Sequence, residues 1–135
     1  SEETVTAAPV RVTSSADTAA LMMARMRDLK REVFKVLMLN ARNRVMEIVE
    51  ITEGSVDQAY PIIRNIFQSA LQHAAVSLIC VHNHPSGSVE PSREDVQFTR
   101  QLTAAGGVMG IPVLDHIIIG DNVYYSFADN GRMDG

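Results

Sequence analysis

The chain has 135 residues, of which 46% are hydrophobic and 21% charged, with a formal net charge of −4. That length suits one domain with its own core and is too short for two, and the charge balance neither forces disorder nor suits a general nucleic-acid binder. The single cysteine, Cys80, excludes an internal disulfide framework, and no apolar run approaches the roughly 18 residues of a membrane-spanning helix.

Residues 1–13 read as a flexible tail or linker ending in a short extended piece, Val10-Arg11-Val12, and residues 14–135 as the domain. The opening Ser1-Glu2-Glu3-Thr4 lacks both the features of a secretory signal and an initiator Met, so a processed or excised fragment working in the cytoplasm is expected. Ser15 or Asp17 is the expected cap of a helix running to about Leu29, with Ala20, Leu21, Ala24 and Met26 supplying apolar surface. Val33 to Leu39 reads as a strand buried on both sides, Asn40 to Asn43 as a turn, and Val45 to Ile51 as the second arm of a hairpin.

Gly54 to Tyr60 is loop material, and Pro61 suits a first helical position. Ile62, Ile63, Ile66, Phe67, Ala70 and Leu71 then recur at helical spacing, and Ala75 to Val81 is apolar enough for a central strand. A polar loop from His82 to Pro91 follows, then a helix from about Ser92 to Ala105 that stops at Gly106-Gly107. Val113 to Ile119 and Val123 to Phe127 are two further strands joined at Gly120-Asp121-Asn122. The order predicts one α/β domain, a mixed sheet with helices packed against it.

The chemistry is concentrated in His82-Asn83-His84-Pro85-Ser86-Gly87 and Pro91-Ser92-Arg93-Glu94-Asp95. Two histidines at i and i+2 leaving a strand point to the same side, so both rings can reach one ion at roughly 2.0–2.1 Å. Pro85 and Gly87 turn the chain and set the ligands at a sheet edge. Asp95, in the first turn of the next helix, is a suitable third ligand, and two imidazoles with one carboxylate leave a zinc coordination position open for water. Ser92-x-x-Asp95 is equally a capping-box pattern, and capping alone would explain both residues. A general base is also needed, and Glu32, Glu47, Glu50 and Glu53 are all candidates. His73 suits a helix C-terminus, His116 reads as a structural partner of Asp115 rather than a fourth ligand, and Cys80 as an inert core thiol. The consecutive letters His-Asn-His do not make an HNH nuclease, whose residues are spaced through a different fold.

Taken together, His-x-His-Pro followed by Ser and Asp at this interval resembles the JAMM (JAB/MPN) metalloprotease signature, and its wording resembles the RadC family. Asp115-His116-Ile117-Ile118-Ile119-Gly120 and Glu32-x-Phe34-x-Val36-Leu37-x-Leu39-Asn40 resemble RadC segments as well, so the likeness covers about residues 15–130. It implies a JAB/MPN domain, a curved mixed sheet flanked by helices. It implies Zn²⁺ held by His82, His84 and Asp95, Glu32 as the base that activates water, and Ser92 as a stabiliser of the oxyanion. The RadC helix-hairpin-helix region is not recognisable here, and Tyr60-Pro61-Ile62-Ile63-Arg64 departs from the Pro-Arg-Glu wording of the family.

The expected function is therefore a zinc-dependent peptidase or isopeptidase acting on a peptide or protein conjugate. A metal-stabilised interaction module and the DNA-repair role attached to RadC proteins are the alternatives. Direct DNA binding by this acidic chain is not expected, nor is a membrane partner; a homodimer is a further expectation.

Overall fold

A computed structural model describes residues 10–51, 61 and 63–134, together with the backbone of residues 2–3. In chain order the elements are β1 (Glu2–Glu3), α1 (Ser15–Met26), β2 (Phe34–Leu39), β3 (Val45–Ile51), α2 (Ile63–Gln72), β4 (Ser77–Asn83), α3 (Arg93–Met109), β5 (Val113–Ile119) and β6 (Tyr124–Ser126). The strands form one open mixed sheet in the order β1-β3-β2-β4-β5-β6. Only β4 and β5 run parallel, joined through α3; the other neighbours are antiparallel. This is the expected α/β domain.

Period-two alternation divides the strand residues between two cores. Phe34, Val36, Met38, Leu78 and Cys80 face α2 and α3 with Ile66, Phe67, Phe98 and Leu102. Leu37, Leu39, Ile79, Val81, Ile117 and Ile119 face α1 with Met22 and Met26. All six residues of β2 and all seven of β4 are buried, as a strand covered on both faces requires.

Several local expectations are corrected. The α1 cap is Ser14, whose side chain accepts from the Asp17 N–H, while Asp17 itself accepts from the Thr13 backbone and hydroxyl. That phase buries Thr18, Ala19, Met22 and Met26, leaves Ala20 and Ala24 exposed, and the helix ends at Met26 rather than Leu29. Val10-Arg11-Val12 is the expected short extended piece, bridged at Arg11 to Arg44 and bonded through Val12 N–H to Asn43 O and Val45 N–H to Val10 O. Glu2–Glu3 pairs with β3. Leu71 is exposed rather than on the buried face of α2. The loop at 54–60, Ile62 and Glu53 lie outside the described residues.

The largest boundary difference is in α3, which continues through Gly106-Gly107 and ends at Gly110, a left-handed residue with φ of 69°. Gly106 serves close packing instead of termination. A Cβ there would lie 2.8 Å from the Ile111 carbonyl oxygen and 3.1 Å from Val113 Cγ2, so only glycine lets the helix end press on the start of β5. Strand β4 likewise runs on to Asn83, taking His82 into the sheet.

Candidate metal centre

The carboxyl end of β4 carries the first ligand candidates. Leu78, Cys80 and His82 alternate on the α3 side, and His84 follows just beyond the strand. Because β4 pairs with both β2 and β5, the site stands at the end of a central strand and not at a sheet edge. His82 is fully buried, its ring stacked on Phe34 with centroids 4.7 Å apart. The loop after it is pinned by His84 N–H to Ile119 O and Asp121 N–H to Gly87 O, at 2.9 and 3.1 Å. Gly87 has φ of 89°, and a Cβ on Gly120 would run into the Gly87 carbonyl, so these two glycines let the His84 loop lie on the β5–β6 turn.

Antiparallel pairing of Phe34 with His82 brings the residues preceding β2 alongside. Glu32 Oε1 lies 3.3 Å from His82 Nε2. Asp95 reaches in from α3, with Oδ1 3.3 Å from His82 Nε2 and Oδ2 3.1 Å from His84 Nε2. Among the described residues, Glu32, His82, His84 and Asp95 form the cluster able to hold a metal ion, with ligand atoms all within 4.8 Å of one another. Of the other candidate bases, Glu47 and Glu50 stay on β3, where Glu50 meets Arg31 at 3.8 Å.

Capping and site formation coexist at Ser92 and Asp95. Ser92 N–H donates to Asp95 Oδ2 at 2.8 Å and Asp95 N–H donates to Ser92 Oγ at 3.0 Å, a complete capping box. The box orients the buried Asp95 carboxylate toward the two imidazoles. Ser92 is exposed beside it, and the capping bond uses a lone pair on Oγ and not the hydroxyl hydrogen.

The donor inventory fixes the tautomers. Thr99 Oγ1 donates its one hydrogen to the Asp95 carbonyl at 2.7 Å, so it accepts from His116 Nδ1–H at 2.5 Å. His116 Nε2 then accepts from His82 Nδ1–H at 2.7 Å. His84 Nδ1–H donates to the Ser88 carbonyl at 3.0 Å. Both remaining Nε2 atoms carry lone pairs, yet they stand 3.1 Å apart and face two carboxylates. Two imidazole nitrogens and two carboxylates converging on one point could hold a cation at their centre. The nitrogen and oxygen donor set fits a divalent metal ion.

His116 was the residue least legible from sequence. Its backbone N–H donates to Asp115 Oδ1 at 2.7 Å, so the expected pairing exists, but the ring points away to His82 and Thr99. Burial, then the neighbouring His82, holds its pKa well below the usual histidine value. Cys80 is buried, and burial followed by the Asp95 charge pushes its thiol up to about 12, an inert thiol as expected. His73 caps its own helix end, with its ring Nδ1 2.8 Å from Ser69 O. Asn83, unremarked in the sequence, points to the opposite side from the histidines. Its Oδ1 accepts from Val33 N–H at 2.7 Å and its Nδ2 donates to Arg31 O at 2.9 Å, gripping the backbone on both sides of Glu32.

An α/β domain with two imidazoles and two carboxylates gathered at the end of its central strand is a candidate metal-binding domain. The chain belongs to the RadC-like JAB domain family, whose model matches residues 12–132. It is 46% identical over 123 residues to a UPF0758 protein of Caldanaerobacter subterraneus, covering 91% of this chain and 53% of that one. A UPF0758 protein of Salinibacter ruber is 45% identical over 125 residues, covering 93% and 54% respectively. The chain thus spans about half the length of these curated relatives. Among the described residues, no helix is long and apolar enough to cross a membrane.

Proposed function

We propose that the chain binds Zn²⁺ through His82, His84 and Asp95 and hydrolyses a peptide or isopeptide bond. The observation that carries this reading is the convergence of two imidazole lone pairs and two carboxylates, one of them on the partly exposed Glu32. Zinc in that set supplies Lewis acidity and brings the pKa of water toward about 7.

The chain's own groups do the rest. Glu32, 32% exposed at its side chain, takes the proton of an attacking water and returns it to the leaving nitrogen. Ser92 turns its hydroxyl hydrogen to the carbonyl oxygen as negative charge develops there. His82 and Asp95 are buried, whereas His84 is 17% exposed at its side chain, so the substrate approaches over His84 and Glu32. The substrate is a peptide or a lysine-linked protein conjugate, and the cytoplasm suits a chain whose lone thiol is buried and unpaired.

A second reading has its own observation. Glu32 Oε1 is as close to His82 Nε2 as Asp95 Oδ1 is, both at 3.3 Å, so Glu32 is also a candidate fourth ligand of a closed, structural site. The variant Glu32→Gln separates the two. As a base, Glu32 is dispensable for zinc, and the variant keeps its metal while hydrolysis of internally quenched peptides or isopeptide-linked lysine conjugates falls at least about 100-fold. Loss of zinc from Glu32→Gln favours the structural reading.

A further inference from the structure

One polar chain lies behind the cluster, on the side away from solvent. Thr99 sits one helical turn after Asp95 and is fully buried, and its hydroxyl touches both the Asp95 carbonyl and the His116 ring. The His116 ring is fully buried, stacked on Phe127 at 4.8 Å and 8° between planes, so its orientation is set by packing. Its other nitrogen meets His82 Nδ1. A single hydroxyl thus connects the helix that presents Asp95 to the imidazole that presents Nε2 from β4.

We infer that Thr99 and His116 are positioning residues that lock His82 as its Nδ1–H tautomer and thereby hold its Nε2 lone pair for the metal. The inference rests on the metal-site reading above and adds two residues to it. The direction of every bond follows from Thr99. Its hydrogen goes to the Asp95 carbonyl, so the His116 Nδ1 must be the protonated nitrogen, and His116 Nε2 must accept. Remove the hydroxyl and His116 loses the partner that fixes its tautomer. It can then carry its hydrogen on Nε2, which turns His82 Nδ1 into an acceptor and moves the His82 hydrogen onto Nε2, where the metal belongs. A neutral histidine ligand has its free nitrogen chosen by the bond at the other nitrogen, and loss of such outer partners typically weakens metal binding about 10–100-fold.

The test compares Thr99→Val, which keeps the shape and removes the hydroxyl, with Thr99→Ser, which restores it. Two quantities are read: the His82 tautomer in metal-stripped protein, from long-range ¹H–¹⁵N spectra, and the dissociation constant for zinc, by competition with a chromophoric chelator. Wild type and Thr99→Ser are expected to show His82 protonated at Nδ1 alone and to bind zinc alike. Thr99→Val is expected to show a tautomer mixture and at least about tenfold weaker zinc binding. An unchanged tautomer or unchanged affinity in folded Thr99→Val overturns the proposal. If Thr99→Val does not fold, His116→Gln and His116→Leu replace it: glutamine offers an oxygen to the His82 Nδ1–H and leucine does not, so equal zinc affinities overturn it. Should wild type take up no zinc, the metal-site reading fails, and the tautomer spectra alone decide whether the lock exists.

Discussion

Asp95 and Asp115 are both buried carboxylates, yet they stand in opposite situations. Asp115, on β5, accepts from the backbone N–H groups of His116 and Ala128 at 2.7 and 3.0 Å and from the Ser126 hydroxyl at 2.6 Å. Both its oxygens accept from donors that fold the β5–β6 corner. Asp95 accepts from the Ser92 backbone N–H and turns both oxygens toward the His82 and His84 ring nitrogens, at 3.3 and 3.1 Å. A buried carboxylate held by backbone and hydroxyl donors belongs to the architecture, whereas one that meets two imidazoles and a second carboxylate is a candidate cation ligand. The kind of partner distinguishes the two carboxylates here, and burial alone does not.

The most direct way to break this comparison is to neutralise each carboxylate in metal-stripped protein. Asp115→Asn places an amide against donors and is expected to lower unfolding stability by about 1–3 kcal/mol in urea titrations. Asp95→Asn relieves repulsion, so its metal-free stability is expected to match or exceed wild type while zinc no longer stabilises it. Equal losses in both variants would erase the distinction.

A smaller effect is expected from Gly120→Ala, whose Cβ would run into the Gly87 carbonyl oxygen. The turn must shift, which costs about 1–2 kcal/mol in thermal unfolding and weakens zinc binding through His84, leaving the Asp115 corner intact. Asn83→Ala frees the backbone on either side of Glu32 at a cost of about 1 kcal/mol. Turnover is expected to fall about tenfold with zinc binding unchanged, measured on the same peptide substrates.

The slightest effect is on the pH dependence of folding. Burial raises the Asp115 carboxyl above its ordinary value of 3.8, against the lowering effect of its hydrogen bonds. In that window the native chain keeps a proton that the unfolded chain has lost. The stability from this group is therefore complete below 3.8 and is lost as pH rises through the raised native value. Asp115→Asn should flatten that slope between acidic unfolding curves; an unaltered slope would assign it to other groups.

Much of this arrangement was legible in the sequence because it is local. The side of β4 shared by His82 and His84 follows from period two, and the Ser92–Asp95 interval follows from helix capping. The choice of Glu32 among four glutamates was implied by the family resemblance and not by spacing, since antiparallel pairing of β2 with β4 brings it in. His116 reaches His82 only because β5 lies parallel beside β4, with Cys80 opposite His116 and His82 opposite Ile118, and no local pattern announces that register. Thr99 carried a weak signal, one helical turn after Asp95. Asn83 was hidden by the two histidines around it, although alternation already sends its side chain to the opposite face. The Gly106-Gly107 pair misled because glycine marks helix ends and close packing alike, and here the close approach to Ile111 and Val113 decides.

The central claim, that His82, His84 and Asp95 hold a metal ion beside Glu32, is tested most directly by elemental analysis. Wild type and Asp95→Ala should be purified without chelators or immobilised-metal columns and their zinc measured per chain. Roughly one zinc per wild-type chain, absent from Asp95→Ala, is the predicted result. Wild-type protein that carries no metal and takes up none when zinc is supplied would contradict it, and the cluster would then be a proton-sharing network within the core.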